Sequence, residues 1–329
     1  MSRVDGPKYA PEYRGGLSNH LPMALLALRR LGATRERMDA FEAVYAARLE
    51  PAARVASASG HARCATWPPA ARGIEAHACV AAQIDAEIAR RGAEDVLHEL
   101  LPSLMRGVGA AACHGLIRTA YAVESGDDAE LSEGLAYWTV RRLPLGPLAT
   151  TVGTLPVDAW ATALARELAP PQAGDRLIFE DMHEVSTQPR FAAVASALAA
   201  DGATLHALTR WAAAHYVRSA DFTVLHLVTS AHAMRLVLPF AGDATTALRW
   251  YAQAWAAAMV TVPTLAPQPL EQSAATALPW AVIVERALNS DNDHAIKLVH
   301  TCREEAAHYG DADGLYRAVA ARATRPACA

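Results

Sequence analysis

The 329-residue chain balances 30 Lys and Arg against 34 Asp and Glu, for a formal charge of −4, and 52% of its residues are hydrophobic. So small and mixed a charge argues against a nucleic-acid partner. The absence of any run of 18 or more apolar residues argues against a membrane span. The polar start MSRVDGPKYAPEYRGG lacks a signal-peptide core. Five scattered cysteines with no CxxC pair fit neither a disulfide framework nor a zinc ribbon. The expectation is a soluble cytoplasmic protein.

Alanine, leucine and arginine fill long segments, and runs of Val, Ile, Thr and Tyr at period two are nearly absent, which predicts an all-α chain. The first helix is written in GLSNHLPMALLALRR, where Asn19 reads as the N-cap, Pro22 sits in the first turn and Leu21, Leu25 and Leu28 keep helical spacing. Further helical patterns run through 35–49, 74–90, 93–105, 110–125, 127–142, 157–168, 189–200, 203–216, 220–238, 243–259, 269–288, 292–308 and 311–322. Loops fall at 58–73, 141–156, 170–189 and 262–271. The 170–189 segment, PPQAGDRLIFEDMHEVSTQP, is long enough to act as a lid. The apolar faces predict one multi-helix bundle domain over 1–329.

Two patterns in the chain are set aside. GVGAAACHG (107–115) follows a helical stretch rather than a strand, so it is no dinucleotide fingerprint. The E-x-x-H pairs Glu180–His183 and Glu305–His308 occur about as often as chance allows, which leaves a di-metal bundle as the second choice. Four helices, by contrast, carry a histidine in an otherwise apolar or alcohol-lined turn: SNHLPMAL with His20, CHGLIRTAYAVES with His114, DFTVLHLVTSAHAMRLVLP with His226 and His232, and DNDHAIKLVHTC with His294. His114 and Arg118 share a face at i,i+4, as do His294 and Lys297 at i,i+3. Each histidine alone reads first as a hydrogen-bonded core residue, and Lys297 as a surface partner of Asp293. His226 and His232 lie about 120° apart around their helix, so they do not share one ion. The other eight histidines, His300 among them, sit in polar or loop contexts and receive no role.

Taken in order, GLSNHLPMALLALRRLGA, HGLIRTAYAVES with ELSEGLAYWTVRRLP, FTVLHLVTSAHAMRL and DHAIKLVHTC resemble the questin oxidase-like family. The resemblance implies an all-α oxygenase that uses dioxygen to insert oxygen into, or cleave, a ring of a polycyclic phenolic or quinone substrate of the anthraquinone kind. It also implies a non-heme Fe(II) held by His20, His114, His226, His294 and a Lys297 carboxylated on its side-chain nitrogen. An ammonium has no lone pair for a cation, whereas a neutral amine that has captured carbon dioxide becomes an anionic oxygen ligand. Spacing alone leaves zinc and manganese open. Arg118 and Arg235 are the candidate catalytic residues for steadying negative charge on oxygen. Asp293 and Glu124 are candidates to orient imidazoles, and Tyr121, Tyr137 and Trp138 to line an aromatic pocket. Some relatives draw on a nicotinamide cofactor; with no dinucleotide fold here, NADPH would serve as a diffusible reductant. A homo-oligomer is compatible with the sequence. The alternatives are a di-iron or zinc helical-bundle enzyme and a non-catalytic helical binding protein.

Overall fold

The computed structural model describes residues 8–52, 67–262 and 278–325. Cys64, Cys328, His61 and the first half of the 269–288 pattern lie outside them. In chain order the helices are α1 (Leu21–Leu31), α2 (Arg35–Ala46), α3 (His77–Arg91), α4 (Ala93–Leu104), α5 (His114–Ser125), α6 (Asp128–Arg141), α7 (Val157–Glu167) and α8 (Ile178–Ser186). They continue with α9 (Phe191–Ala195), α10 (Thr204–Ser219), α11 (Phe222–Val237), α12 (Ala244–Val260), α13 (Trp280–Leu288), α14 (Asp293–Tyr309) and α15 (Leu315–Ala323). Among the described residues the only sheet is a two-residue hairpin pairing Glu12–Tyr13 (β1) with Leu17–Ser18 (β2). The all-α expectation holds.

One continuous apolar cluster runs from Leu21 to Ala320, with Trp138, Trp160 and Trp255 among its largest fully buried side chains. The centre is built on α5, which packs against α6 on one side and α11 on the other, while α14 lies against α1, α11 and α15. Glycines set the α5–α6 approach. A Cβ on Gly115 would come 2.7 Å from Trp138 Cα, and one on Gly134 would come 3.0 Å from the Thr119 backbone. Any larger residue at Gly115 must push the helices apart, and with them the start of α5. No helix among the described residues is long and apolar enough to cross a membrane.

Four expectations need correction. Residues 178–186, inside the 170–189 loop, form helix α8: Glu180 caps the Leu177 amide at 2.9 Å, and Met182 and Val185 bury themselves on its inner face. The 189–200 helix stops at Ala195, because Leu198 and Ala199 pair in parallel with Leu155 and Gly153. The backbones approach so closely there that a Cβ on Gly153 would meet Leu198 O at 2.3 Å. The 110–125 helix begins only at His114, for a reason given below. At α1 the N-cap is His20, one residue later than expected; Asn19 still accepts from the Leu21 amide at 3.0 Å and donates to Ala10 O at 3.0 Å.

Candidate metal centre

His20, His114, His226 and His294 come from four separated segments and meet. Ring centroids are 4.7 Å apart for His20–His114, 4.8 Å for His20–His294, 4.9 Å for His114–His226 and 5.6 Å for His226–His294. Each sits at or near a helix start. His20 caps α1, His114 opens α5, His294 is the second residue of α14, and His226 lies one turn into α11, its Cβ leaning back toward the N-terminus.

The backbone before α5 is strained to deliver its ring. Ala111, Ala112 and Cys113 have φ of 46°, 56° and 67°, three consecutive non-glycine residues in the left-handed region. That conformation costs an L-residue roughly 1–2 kcal/mol, and a run of three is held only where the surroundings over-determine it. The turn aims the Ala111 carbonyl at His114 Nδ1. A carbonyl can only accept, so the proton is on Nδ1 and the lone pair on Nε2.

The same logic applies to the other rings. His20 Nδ1 donates to Asp293 Oδ2 at 2.6 Å, and His226 Nδ1 donates to Phe222 O at 2.7 Å. His294 Nδ1 lies 3.2 Å from Asp293 Oδ2. Asp293 thus stands at the Nδ1 edge of two rings. The Nε2 atoms of His20, His114 and His294 are buried and have no hydrogen-bond partner. Orphaned buried nitrogens are costly in a folded core, and three of them in one cluster mark a place for a lone-pair acceptor. One ligand atom each of His20, Asp293 and His294 also lies within a mutual 4.8 Å. Because Asp293 engages the Nδ1 side, the geometry makes it the group that orients the rings, with Nε2 left for a ligand.

Burial, helped by the nearby Lys297 charge, pushes His20 down to about 4; burial pushes His226 down to about 3 and depresses His114 and His294 as well. All four are neutral near pH 7, the form that binds metal. Lys297 is only 2% exposed, and its charge acts on all four imidazoles. Burial brings it down to about 8 against the opposing pull of Asp293. For Asp293 burial works upward, but the His20 hydrogen bond and the neighbouring positive charges win and hold the carboxyl below its usual range.

The remaining candidates fall elsewhere. Arg118 is buried and turns to α6, where Glu130 takes its Nε and Glu133 lies 3.8 Å away, while its Nη1 has no hydrogen-bond partner. Arg235 pairs with Glu305 at 2.8 Å. Tyr137 is tied to Ser18 at 2.8 Å and Glu12 at 2.9 Å, Trp138 packs on Gly115, and Tyr121 faces His232 and His300. Glu124 also lies with His232 and His300 rather than with the four-histidine group.

The reading from sequence missed Phe222. It is 54% exposed, yet its ring lies 4.6 Å from that of His226 and 4.9 Å from that of His294, so it marks the solvent side of the cluster. Its signal was an aromatic four residues before a histidine on one helix face. The 170–189 segment does reach the backbone leading into the site. Leu177 lies close enough that a Cβ on Gly16 would come 3.1 Å from its Cδ1, and Met182 stands in the same relation to Gly109.

No curated protein matches the chain. The sequence profile described as Questin oxidase-like matches residues 17–207 and 195–302, a span holding all four histidines and Lys297. The chain therefore belongs to the questin oxidase-like family, whose name is that of an oxidoreductase.

Proposed function

We propose that the chain is a non-heme iron oxygenase in which Nε2 of His20, His114, His226 and His294, with a carboxylated Lys297, hold one Fe(II). The observation that carries this reading is the set of imidazoles of which three hydrogen-bond an acceptor through Nδ1 and the fourth, His294, has its Nδ1 3.2 Å from Asp293 Oδ2, while three buried Nε2 atoms stand without partners. Imidazole suits iron, and five protein ligands leave about one octahedral position free. Bound there, the ion would supply dioxygen activation for oxygen insertion into, or cleavage of, a ring of an anthraquinone-like phenolic or quinone substrate. NADPH would act, where electrons are needed, as a diffusible reductant.

The chain's own residues do the rest. Lys297, brought down to about 8, has a share of neutral amine near neutrality. That amine adds to carbon dioxide, forms a carbamate and releases a proton. Asp293 holds the His20 and His294 rings in one tautomer. Phe222 offers an apolar ring at the mouth, against which a flat aromatic substrate can lie. The 170–189 segment, helix α8 included, covers the approach past Gly16 and Gly109.

The test begins with iron bound by the full chain. The His114→Ala variant should lose the ion while keeping its helical circular dichroism. Growth with 13C-bicarbonate should give a carbamate NMR signal that Lys297→Arg abolishes. Anaerobic binding of a hydroxyanthraquinone, followed by 18O2, should place label in a ring-opened or oxygenated product. Iron retained by His114→Ala refutes the ligand set, and product without label refutes the oxygenase.

A further inference from the structure

A second cluster of side chains of metal-ligand type lies on three of the same helices. Glu124 of α5, His232 of α11 and His300 of α14 each present one ligand atom within 4.8 Å of the others. His300 Nε2 is 3.0 Å from Glu124 Oε2, and His232 Nε2 is 4.0 Å from that oxygen, beyond hydrogen-bond reach. His232 is fully buried, and its Nε2 has no hydrogen-bond partner. Its Nδ1 lies 2.8 Å from Glu305 Oε1, repeating the carboxylate-to-Nδ1 arrangement of Asp293 and His20. Arg235 in turn fixes Glu305, and Arg30 stands 3.4 Å from Glu124. The Tyr121 ring packs edge-on against both imidazoles.

The repeat has a geometric origin. His226 to His232 and His294 to His300 are each six residues, about 9 Å of helix, and His114 to Glu124 is ten, about 15 Å. Six residues also turn a side chain through about 120° relative to its predecessor. The same three helices therefore present two polar clusters, one above the other, on different faces.

We propose that Glu124, His232 and His300 form a second site for a first-row divalent transition-metal ion, with Glu305 positioning the His232 ring. Two imidazoles and one carboxylate with further positions open are a donor set suited to Fe(II), Zn(II) or Mn(II). The site is independent of the four-histidine centre in its ligands, although both depend on the packing of α5, α11 and α14. Its competitor is a proton on His232, which would join Glu124 to Glu305 as an imidazolium.

The full chain is incubated with Co(II), freed of excess by gel filtration, and measured for cobalt per chain and for its visible absorption. The expected wild-type value is two. Glu124→Gln and His232→Gln should each give one, with the four-histidine band retained, and His294→Ala should give one with the other band retained. Circular dichroism on each variant separates loss of a ligand from loss of fold. Two ions in the wild type that fall to one in folded Glu124→Gln and His232→Gln uphold the site, and two ions kept in both folded variants overturn it. One ion in the wild type that His294→Ala removes and His232→Gln leaves in place overturns it. One ion lost in His232→Gln but kept in His294→Ala upholds this site and refutes the other centre.

Discussion

Asp293→Asn tests whether the carboxylate orients the metal-binding rings. The wild-type carboxylate is buried, accepts from His20 Nδ1 at 2.6 Å and lies 3.2 Å from His294 Nδ1. Asparagine keeps the shape but offers one acceptor oxygen and one NH2 group. Both rings meet the same oxygen, Oδ2, so an amide with its carbonyl there accepts only as a neutral, weaker group. With its NH2 there, both rings must accept through Nδ1, their protons move to Nε2 and both lone pairs are lost to the metal. Loss of such an outer partner typically costs 10–100-fold in metal affinity, or about 1.4–2.7 kcal/mol. Here one carboxylate serves two rings, which places the expectation at the upper end, about 100-fold. The assay is competition for Co(II) against a chelator of known affinity, followed by the absorption band of the four-histidine centre. Asp293→Glu, which keeps two acceptors on a longer arm, should recover part of the loss. An affinity for Asp293→Asn within twofold of wild type would refute the orienting role and favour direct coordination through a neutral oxygen, or no contribution at all.

Three further outcomes follow from the same geometry. Gly115→Ala puts a methyl 2.7 Å from Trp138 Cα; overpacking of this kind should cost about 3 kcal/mol, seen as a lower urea midpoint, and an unchanged midpoint would mean that α5 and α6 are free to separate. Burial lowers His20 and His77 to about 4, so below pH 6.5 the unfolded chain takes up protons that the folded chain refuses, and stability falls as pH drops from 6.5 toward 4. Each group should remove about 2 kcal/mol between pH 7.5 and 5, and in urea titrations of metal-free protein His77→Gln should soften the loss; equal slopes for both proteins would exclude His77 as a source. Lys297→Glu should keep more Co(II) affinity than Lys297→Met because it supplies the anion that carboxylation would supply, and equal loss in both would argue against an anionic ligand at this position.

The helices were legible because their apolar spacing is regular, and the four histidines were legible because each interrupts such a pattern. Local chain reversals were not. Ala111 and Ala112 are the best helix formers by propensity, and it is the tertiary demand on His114 that forces them, with Cys113, left-handed. Helix α8 was hidden because nine residues between polar flanks give too short a period to read, although Glu180 and Asp181 in its first turn were a signal. His300 was dismissed for its polar neighbours; its partner Glu124 lies 176 positions away, a pairing no single sequence displays. Arg118 drew attention for sharing a face with His114, but Glu130 and Glu133 on α6 take up its charge. Spacing along a helix names neighbours on its surface and is silent about which surrounding helix claims them.

The way the four histidines are delivered also bears on Lys297. With His20, His114, His226 and His294 all at or near helix starts, the N-termini of α1, α5, α11 and α14 converge on one spot. Each such end carries about half a positive charge and disfavours a cation by roughly 0.3–1 kcal/mol, somewhat more where buried. Four together amount to about 1–4 kcal/mol against a metal ion, before the Lys297 ammonium is counted. A single unit charge about 4 Å away, at an effective dielectric constant of 20, is worth about 4 kcal/mol. Asp293 alone therefore roughly cancels the helix ends and leaves the ammonium unopposed. Converting that ammonium to a carbamate reverses its sign, a change of two charge units, and tips the balance toward a cation. The same field favours an ionised phenol over a neutral one beside Phe222. The helix starts fix the imidazoles, and the positive field that comes with them favours the proposed carbamate over the ammonium at Lys297.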